Sequence, residues 1–419
     1  MSTVTCLPGP VHGSGLVPPS KSAAHRALIA AALAGSGRVE GVLPSADMAA
    51  TLEGVAGWGV SVRKEGDTAV FAHAAVPEAP VVDCRESGST LRFLIPLFGV
   101  KGIPATFVGR GRLPQRPLGV YAECLPAHGL HLYNPGGGLP LTLSGRLEAG
   151  DYAVPGNISS QFLTGLLFAL PLCREDSVLR LTTPLESAGY VEMTLRTLRQ
   201  AGVVILPRTD GWDIPGGQAY TPQSYRVEKD WSQAAFFLAA GAIAGQVRLR
   251  GLDPEAAQGD KTIVSLLRRF GADIVEESDG LLCRKAPLTG IPIDAAQIPD
   301  LVPILAVVAA YAQGETHIYN AGRLRIKESD RLAAVADGLR RIGANITEEP
   351  DGLLIRGGFP LRGGFVQGYN DHRIVMSMAV AALGSIHAVT VTDADSVGKS
   401  WPTFFKDFHG IGGQTIWHP

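Results

Sequence analysis

The stretch Phe270-Gly271-Ala272-Asp273-Ile274, followed closely by Asp279-Gly280-Leu281-Leu282, decides the fold of this chain. Gly271 comes directly after the helix-forming segment Lys261–Phe270, where glycine readily adopts the left-handed conformation that ends a helix. An Asp-Gly pair between short apolar runs is typical of a tight β-hairpin. The stretch therefore predicts a helix followed by two antiparallel strands.

The same pattern recurs along the whole chain. Successive copies of the glycine are separated by 69 to 73 residues, and a regular spacing of this kind indicates an internal structural repeat. Each copy is predicted to run strand, helix, strand, helix, strand, strand, so that six copies account for nearly all 419 residues. The six copies contain Trp58-Gly59-Val60, His128-Gly129-Leu130, Ala201-Gly202-Val203, Phe270-Gly271-Ala272, Ile342-Gly343-Ala344 and Gly412-Gly413-Gln414.

The fourth copy shows the order of elements most clearly. Its predicted elements before the hairpin are strand Tyr225–Glu228, helix Ser232–Ala244, strand Gln246–Arg250 and helix Lys261–Phe270. Six copies could close into one array, but two groups of three agree better with usual domain sizes. We therefore expect one domain at 15–227 and another formed by 1–14 with 228–419, hinged near 13–16 and 226–230. The N-terminal strand around Val4–Leu7 is expected to complete the last domain.

Composition excludes several classes of protein. A hydrophobic content of 46% with 18% charged residues is that of a compact globular chain. The net charge of -2 gives no reason to expect nucleic acid or an anionic membrane as partner. The longest apolar runs, such as Leu301–Ala312, are too short to span a bilayer, and the N-terminus lacks a targeting pattern. Five scattered cysteines indicate free thiols, so we expect a cytoplasmic protein.

Unusual polar residues are concentrated where helices begin. Ser20 is a predicted N-cap, which places Lys21 in the first turn of a helix. A cation there opposes the helix dipole unless an anion lies close by. Corresponding first-helix starts are Glu86–Arg92, Asn157–Gln161, Asp230–Gln233, Gln297–Asp300 and Asn370–Arg373; second-helix starts are Pro114–Pro117, Glu186–Tyr190, Gly259–Lys261, Arg325–Arg331 and Gly398–Trp401.

Taken singly, each start has an ordinary structural interpretation. Ser, Asn and Asp cap many helices, Arg325–Arg331 could form a solvated helix face, and His372 could be a core histidine. Taken together, equivalent ends of repeated units point the same way. They predict a cleft lined by positive helix ends for small polyanionic molecules, in which Arg contacts phosphate or carboxylate in bidentate fashion.

With these residues assembled, the chain resembles the 5-enolpyruvylshikimate-3-phosphate synthase family from end to end. The motifs that carry the resemblance are Ser20–Arg26, Gly88–Arg92, Ser159–Thr164, Lys327–Arg331, Asn370–Arg373 and Lys399–Pro402. The family implies a two-domain inside-out α/β barrel with six βαβαββ repeats, three in each domain. It also implies transfer of the enolpyruvyl group of phosphoenolpyruvate to the 5-hydroxyl of shikimate 3-phosphate with release of phosphate, on the route to chorismate and the aromatic amino acids.

The resemblance also implies roles for individual residues. Shikimate 3-phosphate would be held by Lys21, Ser22, Arg26, Ser159, Ser160, Gln161, Ser187, Tyr190, Asp300, Arg323 and Lys327. Phosphoenolpyruvate would be held by Lys21, Gly88, Arg92, Arg116, Gln161, Arg331, Arg373 and Lys399. The implied catalytic residues are Asp300 for the hydroxyl proton, Glu328 with Lys21 for the methylene carbon, and His372. No metal or organic cofactor is implied, and a monomer is expected.

Three positions depart from the family pattern. Glu86 stands where many members have Asn, and its carboxylate repels an anionic substrate unless Arg92, Arg116 or another cation pairs with it. Ser89 replaces the usual Thr, and Arg323 replaces an Asn that often contacts the shikimate phosphate. Since Gly88 leaves space that a larger residue would fill, we expect inhibition by glyphosate. An inhibition curve that millimolar glyphosate leaves unchanged would contradict this expectation.

Two other functions remain open at this stage. The related enolpyruvyl transferase that acts on UDP-N-acetylglucosamine shares the fold, but it uses a loop cysteine that Gly109–Gln115 lacks. A repeat protein that only binds anionic metabolites is the other alternative. Such a protein would not need both carboxylates, Asp300 and Glu328.

Overall fold

The structure is a computed structural model that describes residues 2–418. Its α-helices are α1 (Lys21–Leu33), α2 (Ala46–Ala56), α3 (Gly88–Lys101), α4 (Gly119–Cys124), α5 (Ser160–Ala169), α6 (Ala188–Gln200), α7 (Trp231–Ala244), α8 (Ile263–Phe270), α9 (Val302–Tyr311), α10 (Arg331–Arg341), α11 (His372–Leu383) and α12 (Phe404–Gly410). Short 3-10 helices occur at Leu113–Gln115, Pro126–His128, Leu170–Leu172, Gly259–Thr262, Pro299–Leu301, Gly322–Ile326 and Ala394–Lys399.

The strands are short and alternate with these helices. They are β1 (Thr3–Leu7), β2 (Val11–Gly15), β3 (Gly37–Glu40), β4 (Val60–Glu65), β5 (Thr68–His73), β6 (Val81–Asp83), β7 (Ala105–Val108), β8 (Leu130–Tyr133), β9 (Leu141–Gly145), β10 (Asp151–Val154), β11 (Ser177–Leu181), β12 (Leu206–Arg208), β13 (Gly211–Ile214), β14 (Ser224–Arg226), β15 (Gly245–Arg250), β16 (Asp273–Glu277), β17 (Gly280–Arg284), β18 (Ile293–Asp294), β19 (Gly314–Tyr319), β20 (Asn345–Glu349), β21 (Gly352–Gly357), β22 (Gly364–Val366), β23 (Val389–Val391) and β24 (Gln414–His418).

Within residues 2–418 the strands form six four-stranded sheets, which correspond to the six predicted repeats. Their strand orders are β14-β3-β5-β4, β6-β7-β9-β8, β10-β11-β13-β12, β2-β15-β17-β16, β18-β19-β21-β20 and β22-β23-β1-β24. In each sheet the first two strands are parallel and the other neighbours are antiparallel. In four of these sheets the two parallel strands follow each other along the chain, and a helix (α3, α5, α9 or α11) provides the crossover between them.

The glycine after each helix behaves as predicted in five copies. Gly59, Gly129, Gly202, Gly271 and Gly343 have φ between 79° and 105°. The sixth prediction, Gly413, is wrong by one position. Gly412 takes the left-handed conformation with φ 102°, because α12 ends one residue earlier than the pattern suggested. Gly413 is glycine for a different reason, since a Cβ there would lie 2.2 Å from the Phe408 ring.

The first strand of the fourth repeat was predicted incorrectly. The segment predicted as Tyr225–Glu228 forms β14, which pairs in parallel with β3 of the first repeat. Its place in the fourth sheet is taken by β2, with Gly15 opposite Leu249. The two strands exchange sheets at the two points where the chain passes between its halves. The N-terminal strand β1 lies between β23 and β24, in the sheet of the last repeat.

Contacts divide the chain into two compact units. One unit contains the chain up to Pro18 and from Lys229 onward, and the other contains Pro19–Glu228. These limits differ by a few residues from those expected from the sequence. Because β2 extends to Gly15 and pairs with β15, residues 15–18 belong with the first of these units.

Each unit has its own apolar core around three helices. These are α1, α3 and α5 in Pro19–Glu228, and α7, α9 and α11 in the other unit. All fourteen residues of α7 are buried, as expected for a helix that is apolar on every side. The second helix of a repeat is amphipathic instead; α8 buries only Ile263, Leu266, Leu267 and Phe270. None of the helices in residues 2–418 combines the length and apolar character needed to cross a bilayer.

Candidate active site

The polar residues that precede the buried helices cap them. Ser20 Oγ accepts a hydrogen bond from the backbone N of Ala23 (3.3 Å), which confirms Ser20 as the N-cap of α1. Ser87 caps α3 in the same way, and Asp371 caps α11. The capping holds the first-turn side chains beside unpaired N–H groups and the positive end of the helix dipole, an environment that favours anions.

Lys21 has a carboxylate partner in its own unit. Its Nζ lies 2.8 Å from Oδ2 of Asp47, and the two side chains are 17% and 10% exposed. Asp47 lies in the first turn of α2, after the N-cap Ser45. The sequence analysis missed Asp47, since a first-turn acidic residue is too common to suggest a role. This partly buried ion pair fixes the ammonium group at the start of α1 despite the unfavourable dipole.

Two guanidinium groups converge over Gly88 at the start of α3. A Cβ atom at Gly88 would lie 2.8 Å from Nη1 of both Arg92 and Arg116. Arg92 is fixed by donating to Gln161 Oε1 (2.8 Å) and to Pro117 O (3.1 Å), and Gln161 in turn donates to Ser89 Oγ (3.0 Å). Both arginines are buried. Two buried like charges this close favour an anion between them, because the anion offsets their repulsion.

Replacing Gly88 by Ala tests this geometry. The new methyl group would displace the guanidinium tips, so we expect the KM for phosphoenolpyruvate, the anion that the resemblance implies here, to rise about tenfold, corresponding to about 1.4 kcal/mol. Inhibition by glyphosate should weaken in parallel. Steady-state kinetics with each substrate varied in turn measure the effect. Gly9, where a Cβ would meet nothing within 4 Å, provides the control Gly9→Ala. Equal kinetics for both variants would contradict an anion site at Gly88.

Arg26 is largely committed to the protein. Its Nε donates to Thr194 Oγ1 (2.9 Å), its Nη1 to Ser22 O (2.7 Å), and its Nη2 to Tyr190 O (2.8 Å) and Thr164 Oγ1 (3.3 Å). A guanidinium has five N–H hydrogens, so one remains for a ligand. Burial lowers the pKa of Arg26 to about 10, and the side chain stays charged at neutral pH. Its main visible effect is to join α1 to α6.

The remaining predicted residues of this unit also lie at helix starts. Ser22 is in the first turn of α1. Ser159 is the N-cap of α5, which begins at Ser160, and its Oγ accepts a hydrogen bond from the backbone N of Gln161. Ser187 precedes α6 with φ 55°, and Tyr190 lies in the first turn of α6. Their contact with shikimate 3-phosphate stays a prediction.

Arg331 is the centre of the charge network in the other unit. Its Nε donates to Asp371 Oδ2 (2.8 Å), its Nη1 to Asp300 Oδ1 (3.0 Å) and its Nη2 to Glu328 Oε2 (2.8 Å). The Arg331 side chain is 2% exposed. One buried cation thus joins three carboxylates from three separate segments of the chain.

Asp300 is surrounded by positive charge. Arg373 donates to its Oδ2 (3.2 Å) and to its backbone O (3.0 Å), and Lys327 Nζ lies 3.7 Å from Oδ1. Burial alone would raise the pKa of Asp300, but the charges of Arg373, Lys327 and Arg331 outweigh it and hold this pKa well below the ordinary range. The carboxylate is therefore ionised, which is the state that a proton acceptor requires.

Three other predicted residues belong to this unit. His372 begins α11, is buried, and has Nδ1 3.8 Å from Asp371 Oδ1. Lys399 ends a 3-10 helix and donates to Asn370 O (2.5 Å), and Arg323 donates to Ala296 O (2.5 Å). The catalytic role of His372 and the ligand contacts of the two cations stay predictions.

Two buried carboxylates were not assigned a role from the sequence. Asp371 accepts from Arg331, from Ser329 Oγ (2.9 Å) and from the backbone N of Arg373. Burial opposes its ionisation, but the charges of Arg331 and His372 lower its pKa. For Asp260, burial and the negative charge of Asp300 raise the pKa to about 7. Only the three-dimensional structure shows that Asp371 joins α11 to Arg331, since the sequence marks it merely as a cap.

A fold of six α/β repeats, with cations and buried carboxylates at its helix starts, defines a class of enzyme that acts on small anionic substrates. Comparison with known proteins makes the assignment specific. The profile of the EPSP synthase (3-phosphoshikimate 1-carboxyvinyltransferase) family matches residues 7–408. The chain therefore belongs to the EPSP synthase family.

Individual relatives agree with this assignment. The 3-phosphoshikimate 1-carboxyvinyltransferase of Clostridium novyi is 42% identical over 426 residues, which cover 99% of this chain and 98% of the relative. That of Clostridium perfringens is 42% identical over 419 residues, covering 99% of each. The family predicted from the sequence motifs is confirmed.

Solved structures confirm the fold class. The EPSP synthase from Acinetobacter baumannii matches with a TM-score of 0.84 and 26% identity, covering 100% of both chains. The enolpyruvyl transferase NikO from Streptomyces tendae matches with a TM-score of 0.81 at 17% identity, covering 100% of this chain and 98% of its own, and this likeness concerns the fold alone.

Proposed function

We propose that this chain transfers the enolpyruvyl group of phosphoenolpyruvate to the 5-hydroxyl of shikimate 3-phosphate and releases phosphate. Membership of the EPSP synthase family supports the reaction. The structural observation that carries the proposal is the convergence of Arg92 and Arg116 over Gly88. It gives α3 an anion-binding start of the kind that a phosphate or carboxylate group requires.

The first chemical step is an addition. The 5-hydroxyl oxygen bonds to C2 of phosphoenolpyruvate, the hydroxyl loses its proton to a base, and C3 gains a proton from an acid. The product is a tetrahedral ketal that still carries the phosphate. Asp300 is the proposed base, because it is ionised and fixed by Arg331 and Arg373. Glu328, held by Arg331 Nη2, is the proposed group for the proton at C3.

The second step is an elimination. The bond from C2 to the phosphate oxygen breaks, the group that protonated C3, proposed as Glu328 with Lys21, takes a proton back from the methyl carbon, and the enol ether forms. Charge accumulates on the departing phosphate, and fixed cations stabilise such charge without having to reorganise. Arg92, Arg116, Arg373 and Lys399 are the proposed cations. Lys327 and Arg323 are the proposed partners of shikimate 3-phosphate in their unit, together with Asp300.

We expect the chain to act as a monomer, in the cytoplasm, without metal or organic cofactor. Phosphate release in the presence of a chelator, by a species whose mass in solution equals one chain, tests assembly and metal independence together.

The proposed reaction is tested by phosphate release from phosphoenolpyruvate with two acceptors run side by side. Release with shikimate 3-phosphate alone is the expected result. Release with UDP-N-acetylglucosamine alone would instead assign the chain to the related transferase. If neither acceptor gave phosphate release while the ligands still bound, the result would favour a protein that only binds anionic metabolites.

A further inference from the structure

A continuous chain of buried hydrogen bonds lies beneath the start of α3. His25 Nδ1 lies 2.8 Å from Thr51 Oγ1, and Thr51 Oγ1 lies 2.7 Å from Thr90 Oγ1. Thr90 Oγ1 donates to Ser87 Oγ at 2.7 Å. All four side chains are at most 1% exposed. Nothing in the proposed chemistry uses these groups.

Counting hydrogens shows which group donates in each of these hydrogen bonds. Ser87 Oγ accepts from both the backbone N and Oγ1 of Thr90. A hydroxyl has one hydrogen to donate, so Thr90 must accept from Thr51. For the same reason Thr51 must accept from His25. The imidazole is therefore the tautomer with its hydrogen on Nδ1.

The charge state of His25 agrees with this direction. Burial, together with the positive charges of Lys21 and Arg26, holds the pKa of His25 well below its ordinary value. The ring is neutral, and a neutral imidazole has one N–H donor. The Phe93 ring, 6.2 Å away in an edge-to-face arrangement, packs against the imidazole from α3.

These hydrogen bonds join α1, α2 and α3 close to the starts of the three helices. His25 follows Lys21 by four residues on α1, and Thr51 follows Asp47 by four residues on α2, so each lies one turn from the Lys21–Asp47 ion pair. Ser87 and Thr90 enclose Gly88 on α3. Side chains at this spacing share a helix face. The buried hydrogen bond between His25 and Thr51 therefore connects α1 to α2 a second time, one turn after the ion pair.

We propose that His25, Thr51, Thr90 and Ser87 form a positioning network that sets the first turn of α3 relative to α1 and α2. The network holds Gly88 and its two arginines at the distance from Lys21 that phosphoenolpyruvate requires. This proposal rests on the proposed function for its substrate, but the network itself follows from the geometry alone. Its members are positioning residues, since they act through the helix starts.

The kinetic test compares Thr90→Val with Thr90→Ser. Valine has the shape of threonine without the hydroxyl, whereas serine keeps the hydroxyl. For Thr90→Val we expect a rise of about tenfold in the KM for phosphoenolpyruvate, the effect of losing the two buried hydrogen bonds of Thr90 Oγ1. The KM for shikimate 3-phosphate should stay within about twofold, since Gly88 and Arg116 are not among the proposed partners of that substrate. Thr90→Ser should restore wild-type values.

A matched control separates positioning from general stability. Tyr220→Phe removes another buried hydrogen bond of the same unit, from Tyr220 Oη to Phe168 O (2.7 Å), away from the network. It should lower the thermal midpoint without separating the two KM values. If Thr90→Val behaves like this control, or if both KM values rise equally, the proposal is wrong. Thr51→Val provides a second test through the other hydroxyl should Thr90→Val fail to fold.

A spectroscopic test does not depend on turnover. Ring ¹⁵N chemical shifts of His25 in the full chain should report a neutral imidazole with its hydrogen on Nδ1 at neutral pH. Thr51→Val should remove this tautomer preference. A hydrogen on Nε2 in the wild type, or ordinary titration of the ring, would overturn the proposal. An inactive wild-type chain that still shows the Nδ1 tautomer would overturn the proposed function and leave the network standing.

Discussion

Replacing Asp300 by Asn is expected to lower kcat about a thousandfold, within the range that a single general base contributes. The amide has nearly the same shape, but it cannot accept the proton of the 5-hydroxyl. Arg331, Arg373 and Lys327, which now contact the Asp300 carboxylate, would stay in place around the amide oxygen. Rates of phosphate release measure kcat, and calorimetric titration measures binding of shikimate 3-phosphate.

A control of the same chemical type is available in the same unit. Asp273 pairs with Arg284 on an exposed sheet face, with about half of its side chain accessible, so Asp273→Asn should leave kcat unchanged. If Asp300→Asn retained wild-type kcat while still binding shikimate 3-phosphate, Asp300 could not be the base. The non-catalytic alternative would have no turnover to lose in either variant.

Replacing Arg331 by Met is expected to lower the free energy of unfolding by about 3–5 kcal/mol, the usual cost of breaking a buried ion pair from one side. Methionine fills much of the volume but leaves Asp371, which is fully buried, without its cation. Asp300 and Glu328 lose a donor as well. Denaturant unfolding followed by circular dichroism gives the difference. Arg356→Met provides a control, because the pair with Glu315 is exposed and should contribute less than about 1 kcal/mol.

The loss in free energy of unfolding caused by Arg331→Met should depend on pH in a defined direction. The pKa values of Asp300 and Asp371 are lowered in the folded wild-type chain. Each lowered carboxylate pKa stabilises the fold above the unfolded pKa of about 3.9, and this stabilisation is lost as the pH falls through the folded pKa. The difference between variant and wild type should therefore be largest near neutrality and shrink in acid. A difference that stayed constant from neutral pH to acid would show that lost packing, not charge, explains it.

Most of the fold could be predicted because its signals are local. A glycine after a helix and an Asp-Gly turn each depend on a few neighbouring residues, and repetition made the pattern recognisable. The exchange of β2 and β14 between sheets could not be predicted. All six repeats carry similar strand patterns, so the sequence does not say which sheet a given first strand joins. Gly413 was mistaken for the left-handed residue because both glycines of the pair Gly412-Gly413 satisfy the local rule.

The site was predictable to a smaller extent. Helix starts with Lys21, Gly88 and Arg331 are visible in the sequence, because capping and first-turn positions are local. The partners Asp47 and Asp371 are not, since each is an ordinary first-turn or capping acid until the fold brings it to a cation. The network around His25 was missed for the same reason, because Thr51 and Thr90 are separated from it along the chain.

Following the carbon atoms of phosphoenolpyruvate tests the proposed function most directly. The enzyme would be incubated with ¹³C-labelled phosphoenolpyruvate and shikimate 3-phosphate, and the products identified by NMR. The labelled carbons are expected in an enol ether on the 5-oxygen of shikimate 3-phosphate, with one phosphate released for each group transferred. Label found only in phosphoenolpyruvate, or in pyruvate formed by hydrolysis, would contradict the proposed transfer.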